Sequence, residues 1–570
     1  MPNQVDVIVL GSGAGGLTAA LTAALNGLSC LVLESQAVIG GTSARSSGTV
    51  WIPDNMYMRA AGHLGDREAA ERYLESLVSG RGPKDMWMRF LDQGPAMLED
   101  LNRKAGLRFK PFTGAPDYRQ DLPGAAPGWR PLEPEEFDGK ELGRWFDELA
   151  APMPELMVFG GMMVTRAEAA LLLKADRSFR GALLGARLVG RYLAERLTYK
   201  RGTRLVLGNA LVARLLKECL LRDVDIRTGV TVSRLVMENY KAAGVELSMA
   251  DGVPQSVRCC AVILAGGGFP ASAEWRKNEL PEPTPEYTPA GPGCVGSTLD
   301  LAMAAGAALG GSGMDNGLWF PSSVAKRADG TTAVYPHIVL DRAKPGTIAV
   351  DSTGRRFVNE GVSYHEFVRG MYRANQERTA IPAWMICGRD FIRKYGLGLI
   401  RPRTPSLKKY VESGYLTEAE TLHDLAKKLG MPPEALTATV DRFNEFALQG
   451  VDHDFHRGET IYDRGNGDSS HGPNPSLGPV EGGPFYAVAL YPTPLGTSRG
   501  LRADTEARVL RADDTPIPGL YVCGNDMQSA FGGEYPGAGG QLGQAMTFGW
   551  VAARHAAQLL TTAKPQGRIR

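Results

Sequence analysis

From Val7 to Leu33 the chain runs 27 positions without a charged residue. Within that run the pattern changes twice. Val7 to Leu10 is a continuous apolar block of the length of one buried parallel strand. Gly11, Gly13 and Gly16 follow at G-x-G-x-x-G spacing, then an Ala/Leu segment of helical character, and Leu28 to Leu33 is a second strand-like block closing at Glu34. A membrane helix would give similar hydropathy. Five glycines and Asn26 interrupt the run, which fits a buried βαβ unit far better. A signal peptide is disfavoured, because Met1 to Val5 has no basic residue and Asp6 follows.

The spacing carries chemistry. Gly11 permits the tight strand-to-helix turn, Gly13 lets a pyrophosphate approach the backbone, and Gly16 lets helix and strand pack closely. Ala14 and Gly15 open the helix, whose N-terminus offers free N–H groups and positive dipole to phosphates. Glu34, 23 positions after Gly11, is placed to accept hydrogen bonds from a ribose, with Ser35 beside it. The hydroxyl-rich segment IGGTSARSSGTVWIP (Ile39 to Pro53) adds Gly41, Thr42, Ser43, Ser47 and Gly48 as candidates for a cofactor's phosphates and ring edge. The lesser alternative for this segment is a flexible turn.

Further along, Asp66 to Leu101 has amphipathic helical periodicity, with Ala69, Tyr73, Leu74 and Leu77, then Met86, Phe90 and Leu91, on one face. Lys110 to Asp138 is a Pro/Gly-rich loop dense in aromatics and is expected to cover something apolar. Leu156 to Lys200 reads as helical, and another helix starts after Gly208. Strands are expected over Val224 to Val236, over Ala243 to Leu247 and in AVILAGGGF (Ala261 to Phe269). From these, Val230, Ala265, Gly266 and Gly267 are expected at the dinucleotide. From Asn316 to about Tyr491 the composition shifts toward Tyr, Trp and Pro, with helical spans near Glu418 to Gly430 and Pro433 to Leu448.

The C-terminal part returns to the opening grammar: an apolar strand ending in Gly524-Asn525-Asp526, then a glycine-led helix from about Gly540. A nicotinamide enzyme needs only the first βαβ unit; this second strand and helix point to FAD. Asn525 and Asp526 suit the ribityl chain. Gly540 and Leu542, at the helix N-terminus, would direct N–H groups and positive dipole at the isoalloxazine ring. The expected fold is α/β: a discontinuous Rossmann-like FAD-binding domain (1–315, with a helical insertion near 60–205, and 491–570) around an inserted α+β substrate cap (316–490).

Composition narrows the partners. A net charge of +1 over 570 residues gives no reason to propose nucleic acid or an anionic membrane. Seven scattered cysteines show no C-x-x-C and eight histidines form no ligand cluster, so no metal is expected and reduced thiols in a cytoplasmic protein are. No segment reads as membrane-spanning, which leaves peripheral contact open.

The motifs GSGAGG, GGTSARSSGTVWIP, APDY, GRRFVNEGVSY, YPTPLGT with GLRAD, and EYPGAGGQLGQAMTFG resemble the flavoprotein family of fumarate reductase flavoproteins and 3-ketosteroid dehydrogenases. Within it, the tyrosine contexts are most similar to the Δ1-ketosteroid branch. That resemblance implies α,β-dehydrogenation of a cyclic ketone, most simply a 3-ketosteroid. It implies a clamp on the ketone oxygen from the Tyr535 hydroxyl and the Gly539 N–H, proton abstraction by Tyr364, assistance from Tyr118, and an external electron acceptor. The last loop departs from the branch at Ala538 and Gln541, and Tyr192 or Tyr199 could narrow the pocket toward a monocyclic ketone of the cyclohexanone type. A reductase of an unsaturated dicarboxylate would need cationic clamps. Ser363 and Tyr364 stand where those reductases tend to carry arginine, but Arg355, Arg356 and Arg369 are near in sequence. A flavin kept for structure or electron transfer is the non-catalytic reading.

Overall fold

The computed structural model describes residues 2–172, 178–249 and 252–563. Its main sheet has the order Arg508–Leu510, Pro516–Val522, Ala261–Leu264, Val7–Leu10, Cys30–Leu33, Asp225–Arg227. All neighbours are parallel except the outermost pair, 508–510 with 516–522. Strands separated by hundreds of residues thus meet side by side: Val7 to Leu10 is in register with Cys30 to Leu33 on one side and with Ala261 to Leu264 on the other. Ile8, Val9, Leu31, Val32, Val262 and Ile263 are fully buried, as unbroken apolar blocks in a sheet covered on both faces must be. Each such side chain contributes about 1.5–3 kcal/mol relative to exposure.

Helix Ala14–Leu25 packs against the C-terminal helix Gly540–Ala563. The crossing is close because glycines meet there: a Cβ on Gly15 would lie 3.0 Å from the Ala545 carbonyl oxygen, and one on Gly549 2.5 Å from that of Gly15.

The second large sheet is antiparallel, in the order Thr332–Pro336, Gly317–Lys326, Phe485–Thr497, Ala383–Gly388, Thr347–Val350. Its centre is the 13-residue strand Phe485–Thr497, which pairs with Ala383–Gly388 along its first half and with Gly317–Ser322 along its second. The domain boundary expected at 490/491 falls inside this strand. Proline cannot donate to a ladder, and within this strand Pro492 sits opposite Pro321.

Two helical expectations are refined. The span Asp66 to Leu101 is two helices, Asp66–Val78 and Lys84–Ala105, divided where Ser79 and Gly80 take φ +48° and +78° just before Pro83. The span Leu156 to Lys200 holds helices Arg166–Leu172 and Phe179–Arg196 after a 3₁₀ turn at Pro154–Leu156, and its residues 173–177 lie outside the described residues. Helices Leu422–Leu429 and Pro433–Gln449 lie where expected. No helix among the described residues is long and apolar enough to cross a membrane.

Candidate active site

The glycines of the first turn divide into wall and opening. Gly11 has φ +107° and a Cβ there would lie 2.3 Å from the Ala265 carbonyl oxygen, while a Cβ on Gly16 would lie 2.1 Å from that of Gly11. Both are fixed by packing between strand, turn and helix. A Cβ on Gly13 would meet only the Ser43 hydroxyl, at 3.5 Å, and one on Gly41 would meet nothing within 4 Å. Open ground therefore lies in front of helix Ala14–Leu25, whose Ala14 N–H donates 3.0 Å to Ser43 Oγ. Glu34 closes the neighbouring strand; its carboxylate accepts from the Ser12 hydroxyl (2.5 Å), the Ser12 N–H (3.0 Å), the Gln36 N–H (2.9 Å) and the Ser35 hydroxyl (3.3 Å). Val230 is held beside it, donating 3.0 Å to the Glu34 carbonyl.

The other expected cofactor residues gather around the same opening. Thr42 Oγ1 accepts from the Gly291 N–H at 2.8 Å, Ser47 donates to Thr49 at 3.0 Å, and Gly48 (φ +66°) lies against the backbone of Leu207. Asp526 is fully buried and cinches the loop after Ala265, accepting from the N–H groups of Gly266 (2.6 Å) and Gly268 (2.8 Å). Burial raises its pKa, and these backbone donors oppose that. Gly267, at φ +90°, passes beside Cys294. Asn525 donates 3.1 Å to Gln541, next to Gly540 and Leu542 in the first turn of the C-terminal helix.

Three tyrosines from distant segments converge nearby. Tyr364 is the first residue of helix Tyr364–Asn375, whose N-cap Ser363 accepts 3.3 Å from the Glu366 N–H. Tyr118 lies on the aromatic loop, where its N–H donates 3.0 Å to the Pro536 carbonyl. Preceding it, Asp117 is anchored by Arg130 (2.5 Å), Trp51 Nε1 (2.8 Å) and the Ala126 N–H (2.9 Å). Tyr535 lies on the loop before Gly540, and its hydroxyl accepts 3.2 Å from Gln541. Ring centroids of Tyr118–Tyr364, Tyr118–Tyr535 and Tyr364–Tyr535 are 5.4, 5.4 and 5.5 Å apart, nearly an equilateral triangle. Leu318, Phe320, Ile338, Leu495, Ala538 and Tyr462 complete an apolar wall. Burial pushes the phenols of Tyr118 and Tyr364 well above their ordinary value and that of Tyr535 above it.

Gly539, four residues after Tyr535 on the same loop, has φ +94°, and a Cβ there would lie 2.4 Å from the Thr49 carbonyl oxygen. Its carbonyl accepts from the Trp51 N–H at 3.1 Å, and among the described residues nothing accepts from its own N–H. A free backbone donor beside a tyrosine hydroxyl is the pair that holds a carbonyl oxygen as it gains negative charge.

Residues 6–542 match the family described as FAD binding domain. The chain belongs to this FAD-binding family. It is 36% identical over 566 residues to a 3-oxosteroid 1-dehydrogenase of Mycolicibacterium smegmatis, covering 96% of each. It is 35% identical over 570 residues to a 4-oxocyclohex-2-ene-1-carboxylate 5-dehydrogenase of Sinomonas cyclohexanicum, covering 99% of this chain and 95% of the relative. The solved structure of a 3-ketosteroid delta1-dehydrogenase from Sterolibacterium denitrificans, in complex with 1,4-androstadiene-3,17-dione, matches with TM-score 0.91 and 35% identity over 98% of this chain and all of the other. This FAD-binding protein is an FAD-dependent oxidoreductase.

The openings at Gly13 and Gly41, the carboxylate at Glu34 and the first turn at Gly540 form a cradle that a phosphate-linked dinucleotide would fill, so the residues present fit FAD. Several expectations change in this context. Tyr192 does not enter the tyrosine site: it packs with Met162 and Leu188 and donates 3.1 Å to the Phe159 carbonyl. Tyr199 packs edge-on to Phe146 instead. The arginines a fumarate-type reductase would need are committed or outside. Arg356 grips Glu360 and Asp452 (2.7 and 2.8 Å), Arg369 grips Asp315 and Glu534 (both 2.8 Å), and Arg355 is exposed. The structure also adds residues that spacing could not single out: Gln541 on the Tyr535 hydroxyl, Ser12 on Glu34, and the wall residues Leu318, Phe320 and Tyr462. Ser12 and the wall residues meet their partners from 22 or more positions away, too far to leave a local signal, whereas Gln541 is six positions from Tyr535.

Proposed function

We propose that the protein desaturates a cyclic ketone, most simply a 3-ketosteroid, at the bond between its α and β carbons. The observation that carries this reading is the buried Tyr118–Tyr364–Tyr535 triangle, with the Gly539 N–H free of any acceptor among the described residues four positions after Tyr535. The Tyr535 hydroxyl and the Gly539 N–H hold the ketone oxygen and stabilise the enolate charge that develops on it. The Tyr364 oxygen takes the α proton, and Tyr118, donating 2.8 Å to it, lowers the cost of negative charge there. The apolar wall seats the rings and excludes water. FAD, when bound, supplies the acceptor for the hydride leaving the β carbon. Gly11, Gly13, Ala14, Gly16, Glu34, Ser35, Thr42, Ser43, Val230, Ala265 to Gly267, Asn525, Asp526, Gly540 and Leu542 would hold it.

The wall of Leu318, Phe320, Ile338, Leu495 and Ala538 favours a neutral, extended ring system. A small monocyclic ketone is the second reading, favoured by the near-equal identity to the cyclohexenone-carboxylate relative. In this account the FAD-binding domain is discontinuous and Rossmann-like, and the substrate cap spans about 316–490, its last strand running on to Thr497. An external acceptor, quinone-like or other, reoxidises the flavin, and the seven free thiols favour a cytoplasmic protein.

The test is anaerobic bleaching of the yellow flavin. Bleaching by 4-androstene-3,17-dione supports the steroid reading, and bleaching by cyclohexanone alone keeps the chemistry with a smaller substrate. Bleaching by neither, with reoxidation of the reduced flavin by fumarate, overturns the desaturase reading.

A further inference from the structure

The two halves of the ketone site come from different segments. Tyr364 begins a helix, whereas Tyr535 and Gly539 sit on a glycine-rich loop 171 positions later, whose own hydrogen bonds run to other parts of the molecule. Something must set the distance between base and clamp. Tyr118 joins them through its hydroxyl on Tyr364 and its N–H on the Pro536 carbonyl, and one charged residue ties the two segments as well. Arg369, five residues after Tyr364 on the same helix and only 5% exposed, donates through Nη1 to Glu534 Oε2 (2.8 Å) and through Nη2 to the Gly533 carbonyl (3.1 Å). Those acceptors are the two residues before Tyr535. The remaining guanidinium edge donates through Nε to Asp315 (2.8 Å), just before the cap, and Nη1 also reaches Glu366 (3.2 Å) within the helix.

The other end is braced as well. Glu534 Oε1 lies 3.1 Å from Arg81 Nε, on the turn where Gly82 backs directly onto the Ala530 carbonyl and Gly532. Three carboxylates thus face one guanidinium, and two guanidinia face Glu534. An arginine's planar fork gives this geometry a direction that a lysine ammonium would not.

We propose that Arg369 is the positioning residue that, through Glu534, fixes the Tyr535 hydroxyl against Tyr364, so that proton abstraction and ketone stabilisation occur on the same bound ring. The inference rests on the desaturase reading above. Arg369 acts on Gly533 and Glu534, and its effect passes through the adjoining Tyr535. A misplacement of about 1 Å in such a site costs on the order of 10²-fold in rate.

A double-mutant cycle tests it, read as the first-order rate of anaerobic flavin bleaching by 4-androstene-3,17-dione in the FAD-loaded enzyme. Arg369→Met should slow bleaching about 10- to 100-fold with little change in the apparent affinity for the ketone. Arg369→Lys should recover part of the loss. In the Tyr535→Phe background, Arg369→Met should change the rate by less than about twofold, because the group it positions is gone. A loss equally large in both backgrounds, or a rate in Arg369→Met within about twofold of the parent, overturns the proposal. If Arg369→Met fails to retain FAD, Glu534→Gln replaces it in the same cycle with the same expectations. A parent enzyme that neither this ketone nor cyclohexanone bleaches refutes the desaturase reading itself, an outcome distinct from an additive cycle; where cyclohexanone alone bleaches it, the same cycle is read with cyclohexanone.

Discussion

The Tyr118 hydroxyl donates a 2.8 Å hydrogen bond to the Tyr364 hydroxyl across 246 positions of sequence, inside a site where both rings are more than nine-tenths buried. That single contact sets the central demand on the chemistry. A phenol is a weak acid, and burial makes its phenolate dearer still, so the base works only if its charge is shared with neighbours that donate to it.

Tyr364→Phe removes the proton acceptor while leaving the helix cap at Ser363 and the cofactor cradle intact. The expected outcome is an FAD-loaded protein that no ketone bleaches. Full retention of bleaching would take Tyr364 out of the mechanism.

Tyr535→Phe removes one of two donors to the ketone oxygen and leaves the Gly539 N–H in place. The bleaching rate should fall by about 10²–10³-fold, the loss found when one such donor is deleted elsewhere. Stopped-flow rates at saturating ketone give the number, and a loss below about tenfold would assign enolate stabilisation to other groups.

The raised phenols fix the sign of two pH effects. Below its folded pKa, the phenolate fraction of Tyr364 grows tenfold per pH unit, so the bleaching rate should climb steadily from pH about 7 to 9; a flat or falling profile argues against a phenolate base. For stability, the folded state keeps these phenols protonated while the unfolded chain releases them near pH 10. Folding stability contributed by these groups is therefore complete below about pH 10 and is lost as pH rises beyond it. Thermal melts of the parent and of Tyr364→Phe between pH 8 and 11 should diverge only at the alkaline end.

Gly11→Ala and Gly13→Ala should fail in different ways. At Gly11 the added carbon meets the Ala265 carbonyl at 2.3 Å in a left-handed backbone, so the apoprotein itself should lose stability and expression. At Gly13 it meets only Ser43 Oγ at 3.5 Å, so the melting temperature of the apoprotein should hardly move while FAD affinity drops. Equal melting losses for both variants would contradict the division into wall and opening.

Much of this was legible before any fold was known, because some requirements are local. A strand, a glycine turn and a helix within 30 residues must pack against one another, so the identity and spacing of Val7 to Glu34 carry the dinucleotide site directly. The helix break at Ser79 to Pro83 was less visible, since amphipathic periodicity continues on both sides of it. The strand Phe485–Thr497 runs across the composition shift near Tyr491, where Pro492 sits opposite Pro321.

The sequence by itself determined the cofactor class and the α/β character, because each depends on residue type at short spacing, and its motifs carried the resemblance that implied the tyrosine candidates. Only the tertiary structure decided which distant groups meet. It put Tyr118, Tyr364 and Tyr535 at nearly equal separations, sent Tyr192 and Tyr199 elsewhere, and consumed Arg356 and Arg369 in buried ion pairs. The physical reason is that a hydrogen bond or ion pair acts over a few ångströms of space and is indifferent to sequence separation, so its partners are fixed only when the whole chain has packed.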